Sequence, residues 1–111
     1  MQNIRAEVRL PTRSLREDIP FFTKTLGMRM ERIFPADDPR TAVFSGHGLR
    51  VRLDEGKGAP GQIAILANDP VLIAGGKTDL TAPGGTRVVI GELDPPVILP
   101  PTEHAFVVRR L

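Results

Sequence analysis

The chain has 111 residues, 41% hydrophobic and 25% charged, enough for one globular domain with a modest core and too few for a second full domain. It contains no cysteine, so disulfides and thiolate metal sites are excluded, and no apolar run approaches the ~20 residues of a membrane span. Its 15 Lys plus Arg against 13 Asp plus Glu leave only +2, spread along the chain, and with no Trp or Tyr for stacking, nucleic acid is not an expected partner.

Ile4, Ala6, Val8 and Leu10 alternate with Arg5, Glu7 and Arg9, the period-2 pattern of a half-buried strand. Ser14 and Glu17 have capping-box spacing, and Leu15, Ile19, Phe22 and Leu26 recur at helical spacing up to Gly27, which suits a C-terminal cap. Pro20 lacks the backbone donor a helix interior needs. With Asp18 as N-cap it falls in the first turn, so the helix is expected above all over Ile19 to Leu26. Met28, Met30 and Arg32 then alternate with Arg29, Glu31 and Ile33 as a second strand, ended by Pro35 and Asp37-Asp38-Pro39.

Arg40 to Ser45 reads as a third strand, and Gly46-His47-Gly48 turns it into a fourth in which Leu49, Val51 and Leu53 alternate with Arg50 and Arg52. Asp54 to Gly61 is a breaker-rich linker before a fifth strand, Gln62 to Leu66. Periodicity does not assign Val71 to Ala74. Gly75 to Asp79 reads as a loop; Val71 stands where a phosphate-binding loop ending in Gly76-Lys77-Thr78 needs its first Gly, so a surface turn is expected. Pro83 to Thr86 is a further turn and Arg87 to Ile90 a strand. Asp94 to Pro101 reads as an extended, Pro-rich tether leading to a last strand, His104 to Val108.

This order of elements resembles the vicinal oxygen chelate superfamily of glyoxalases, extradiol dioxygenases and bleomycin-resistance proteins. Val8, Leu10, Phe21, Phe22, Leu26, Gly27 and Met28 resemble its His-Val-x-Leu strand and the Leu-Gly-Phe end of its helix. Gly61-Gln62-Ile63-Ala64 resembles the Gly-His-Ile-Ala strand opening its second module, and Pro83-Gly84-Gly85-Thr86-Arg87 its Pro-Asp-Gly-Asn-Arg turn. The resemblance implies one α+β glyoxalase-like domain over residues 1–111. A βαβββ module would span residues 4–54, a truncated, mostly β second module residues 61–93, and a tether with a terminal strand residues 94–111. Truncation is expected because about twenty residues between Gln62 and Pro83 cannot hold a helix plus two strands of ordinary length. The Pro-rich tail also resembles the segment joining such a domain to a cupin domain in bacterial fusion proteins. An adjoining cupin domain or, through open strand edges, a homodimer is therefore an expected partner.

Catalytic members of that superfamily hold a divalent metal with four side chains on four strands. Those positions fall on Glu7, Arg52, Gln62 and Val89. Arg52 and Val89 cannot ligate and the arginine charge repels a cation, so neither a metal nor another cofactor is expected.

If Val8, Leu10, Val51, Leu53, Ile63, Ile65, Val88 and Ile90 share the core, alternation puts Glu7, Arg9, Arg50, Arg52, Gln62 and Arg87 on the opposite face. Its guanidinium forks suit the oxygens of a small organic anion, with Glu7 orienting one fork. The same charges would serve equally well as a solvated sheet surface without ligand, or as a contact to a partner chain. His47 and His104 have no Ser, Cys or carboxylate at a recognisable spacing and read as exposed or locally bonded, so no catalytic residue is assigned. The leading function is a non-catalytic anion-binding or assembly domain. The alternatives are a metal-dependent lyase, isomerase or dioxygenase with ligands the pattern does not reveal, and an antibiotic-sequestering resistance protein. Without a signal-peptide core near residue 1, the expected location is the cytoplasm.

Overall fold

Alternating apolar residues need a partner surface, and in the computed structural model, which describes residues 2–93, they find it in two small sheets packed on one helix. The expected tether and last strand, including His104, lie outside the described residues. The first sheet contains β1 (Val8–Thr12), β2 (Arg29–Phe34), β3 (Thr41–Gly46) and β4 (Leu49–Glu55) in the order β1-β4-β3-β2, with β1 parallel to β4 and the other pairs antiparallel. The second contains β5 (Gln62–Ala67), β6 (Asp79–Thr81) and β7 (Arg87–Glu92) in the order β5-β7-β6. Short 3₁₀ turns at Pro70–Leu72 and Ala74–Gly76 stand where the first module has its helix. No helix among the described residues is long and apolar enough to cross a membrane.

The core joins both sheets. Leu15 and Phe22 from the helical segment meet Phe44, Val51 and Leu53 of the first sheet and Ile63, Ile65, Val88 and Ile90 of the second. Burial of each such side chain contributes about 1.5–3 kcal/mol. The Phe22 and Phe44 rings stack at 5.1 Å. His47 and Gly48, both with positive φ, form the two-residue turn between β3 and β4, matching the twist of a tight hairpin.

Four expectations change. The first strand starts at Val8 rather than Ile4 and continues through Pro11 to Thr12; it is a sheet edge, where the proline's missing donor costs little. Helix α1 (Leu15–Pro20) starts directly after Ser14, which makes no side-chain cap bond, so neither the capping box nor an Asp18 cap forms. Thr12 Oγ1 accepts from the Ser14 amide instead, at 3.2 Å. Past Pro20 the helix widens into a π-turn over Phe21–Thr25, with the Leu26 amide bonded to the Phe21 carbonyl five residues back. Strand β6 is additional: Leu80 and Ala82 face inward between Asp79, Thr81 and Pro83, an alternation too short to stand out in the sequence.

Candidate ligand-binding site

A β-bulge decides which side chains share the open face of the first sheet. Pairing runs Met30 to Phe44 and then Arg32 to Val43, so Glu31 is the extra residue and the inward–outward alternation of β2 reverses across it. Met30 pairs on the core side; Arg32 and Phe34 are turned to the open face with Glu31. Register then aligns Arg9, Arg52, Val43 and Arg32 in one row across all four strands. Val43 is buried although it points away from the core, between two long arginine stems that can cover it.

The arginines are not equivalent. Arg50 is only 16% exposed at its side chain and stands between two carboxylates: its Nε donates to Glu7 at 3.1 Å and its Nη1 to Glu31. Glu31 also accepts from the Ser45 hydroxyl, and Arg5 reaches it at 3.5 Å. Arg9 donates to Glu7 through Nε at 3.2 Å, and Arg52 to both Asp54 oxygens through Nε at 3.1 and 3.2 Å. Among the described residues these contacts leave the terminal Nη groups of Arg9 and Arg52 without a carboxylate, and Arg32 has none at all. The guanidinium carbons of Arg32 and Arg52 lie 5.3 and 5.5 Å from the centre of the Phe34 ring.

The carboxyl groups respond. Partial burial pushes Glu7 upward, but hydrogen bonds and charge from Arg50 and Arg9 outweigh it and hold Glu7 below its ordinary value. Glu31 is lowered by the Ser45 hydroxyl bond and by Arg50, against a desolvation that raises it.

Sequence-predicted Gln62 and Arg87 sit elsewhere, paired with each other in register on the second sheet, which has no ladder to the first. Arg87 is closed by Asp79, through Nε at 3.2 Å and Nη2 at 2.9 Å, and that hydrogen bond lowers Asp79 and raises Arg87. Glu7, Arg9, Arg50 and Arg52 are therefore brought together on one sheet, whereas Gln62 and Arg87 lie on the other. Alternation missed Glu31, Arg32 and Phe34; the consecutive polar pair Glu31-Arg32 between Met30 and Ile33 is the sequence trace of the bulge. His47 is locally bonded, its Nε2–H donating to the Leu26 carbonyl at 2.6 Å.

A divalent ion fits this face poorly. Both oxygens of Glu7 accept from guanidinium groups, Arg52 offers no lone pair, Val89 stands on the second sheet and offers none there, and among the described residues no three His, Cys, Asp or Glu side chains converge.

No protein-family model and no curated protein matches the sequence. Solved structures do match in shape. A lactoylglutathione lyase from Agrobacterium tumefaciens aligns with a TM-score of 0.64 at 16% identity, over 82% of this chain and 94% of that one. The bleomycin-binding protein of bleomycin-producing Streptomyces verticillus, solved with copper(II)-bleomycin, aligns with a TM-score of 0.61 at 13% identity over 85% and 99%. A glyoxalase/bleomycin resistance protein/dioxygenase from Alicyclobacillus acidocaldarius aligns at 0.56 and 14% identity over 83% and 93%. At these identities the likeness is one of fold.

Proposed function

We propose that this chain, which has the fold of the vicinal oxygen chelate superfamily, binds a small organic anion on the open face of its four-stranded sheet and does so without the superfamily's metal. The observation that carries the reading is the register of Arg9, Arg52 and Arg32 in one row, with more guanidinium than carboxylate along it. Glu7 and Asp54 hold the Nε atoms of Arg9 and Arg52, which aims the Nη pairs at the bulk side, where a carboxylate or phosphate can accept two parallel bonds. Arg50 and Arg87 use both an Nε and an Nη donor internally, so their role in this reading is to fix the sheets rather than the ligand. Arg50 also stands where a cation would, between Glu7 and Glu31, which argues against metal-dependent lyase, isomerase or dioxygenase chemistry at this face.

The test is a titration with sulfate followed by the side-chain Nε–H signals in ¹H–¹⁵N spectra. Arg9 and Arg52, neighbours in the row, are expected to shift together and saturably, with Arg87 unmoved. Uniform small drifts of all arginine signals would mark bulk ionic strength acting on a solvated face.

Assembly is a second reading, favoured by Leu66, which is 50% exposed on the same outer face of the second sheet as Ala64 and Val89. A second copy of this chain or an adjoining domain would cover it, and the oligomeric state of Leu66→Lys against the parent by light scattering decides between covered and open.

A further inference from the structure

The row that carries the charge also carries a length. Across β1, β4, β3 and β2 it reads Arg9, Arg52, Val43, Arg32: two cations side by side, one buried apolar position, one more cation. Adjacent strands lie ~4.8 Å apart, so Arg52 and Arg32 are roughly 9–10 Å apart at the backbone. Both guanidinium groups lie over the ring of Phe34, their carbons 5.5 and 5.3 Å from its centre. A single oxyanion can bridge Arg9 and Arg52 on neighbouring strands but leaves Arg32 unused across the Val43 gap.

We propose that the ligand of this face is a short dianion with an anionic group at each end and an apolar middle, of the class of the α,ω-dicarboxylates. One carboxylate is held by Arg9 and Arg52, the spacer crosses the row at the level of Val43, above the arginine stems and against the Phe34 edge, and the second carboxylate is held by Arg32. This rests on the reading that the open face binds an anion, and it adds which anion and why. Phe34 acts as a positioning residue: its ring attracts the Arg32 and Arg52 guanidinium groups without neutralising either, because attraction to the ring face needs no counter-charge. A carboxylate in the place of Phe34 would have satisfied the arginines and closed the site, as Asp79 does for Arg87.

Calorimetric titration of malonate, succinate, glutarate and adipate, each beside the monocarboxylate of the same carbon number at constant ionic strength, tests the proposal. Affinity is expected to pass through a maximum along the dicarboxylate series. The best member should exceed its monocarboxylate by about tenfold, the scale of one added charge-assisted contact. Arg32→Leu, an exposed position whose replacement leaves the core untouched, should reduce that member to the monocarboxylate's affinity. Phe34→Leu should weaken it by about two- to fivefold while leaving the salt dependence of binding unchanged, since no charge is lost. Dicarboxylates and monocarboxylates that bind alike, or an Arg32→Leu variant that keeps the preference, overturn the dianion assignment while leaving anion binding intact. Failure of every anion to bind removes the reading beneath it as well.

Discussion

Asp18, buried in the first helix, accepts a hydrogen bond at 2.7 Å from the backbone amide of Gly84, a residue 66 positions later in the turn between β6 and β7. Thr12 Oγ1 donates to the other oxygen, and the Gly84 carbonyl in turn accepts from the Arg13 amide at 3.1 Å. One carboxyl thus ties both ends of the strand-to-helix corner to the second sheet. A buried polar group satisfied this fully contributes geometry as well as energy.

Gly84 has no room for a side chain: a Cβ there would run into Thr12 Oγ1 and the Asp18 carboxyl. Gly84→Ala is expected to lower unfolding free energy by about 2–3 kcal/mol, the cost of overpacking a closed site. Urea denaturation measures it, and a midpoint equal to the parent's would mean the corner opens freely.

Burial raises the Asp18 carboxyl above its ordinary value, outweighing the hydrogen bonds from Thr12 and Gly84, and Glu17 adds to the rise. A carboxyl raised in the folded state binds its proton more tightly folded than unfolded. Its contribution therefore favours folding below the unfolded carboxyl value and is lost as pH rises through the folded one. Asp18→Asn keeps an acceptor for Gly84 and turns a donor toward Thr12. Its stability relative to the parent should improve as pH rises from about 4 to about 7, read as a widening difference in urea midpoint. A difference that is flat with pH would place the carboxyl at its ordinary value.

The strands were readable because apolar residues at every second position have one solution, and β3, β4, β5 and β7 lie within two residues of where alternation sets them. Asp18 was not readable as a latch. A local role as helix cap explained it equally well, and nothing local to it points to Gly84. The site was legible in part for a related reason: period-2 reasoning carries Glu7, Arg9, Arg50 and Arg52 correctly to one face but counts through the bulge at Glu31 as though β2 were regular. That error of one residue hid Arg32 and Phe34. Arg87 was grouped with them because alternation gives the face of a strand within its own sheet and says nothing of which sheet the strand joins.

Arg50 separates structural from binding charge. Arg50→Leu leaves Glu7 and Glu31, both held low in part by that guanidinium, facing each other without it. A carboxyl whose folded value is depressed stabilises above its unfolded value and loses this as pH falls through the folded one, so the variant's deficit should be large near neutrality and shrink in acid. Thermal melts of parent and variant across that range provide the check; a deficit constant with pH would assign the loss to packing alone.

The most direct test of the account is the melting temperature of the parent, Arg52→Leu and Arg87→Leu as sulfate is raised at constant ionic strength. Binding to the folded state alone raises stability in proportion to the logarithm of ligand concentration once the site is saturated. The parent and Arg87→Leu should climb together, Arg87 being committed to Asp79, while Arg52→Leu stays flat. Equal responses from all three proteins, or none from the parent, would contradict an anion site built on the Arg9, Arg52 and Arg32 row.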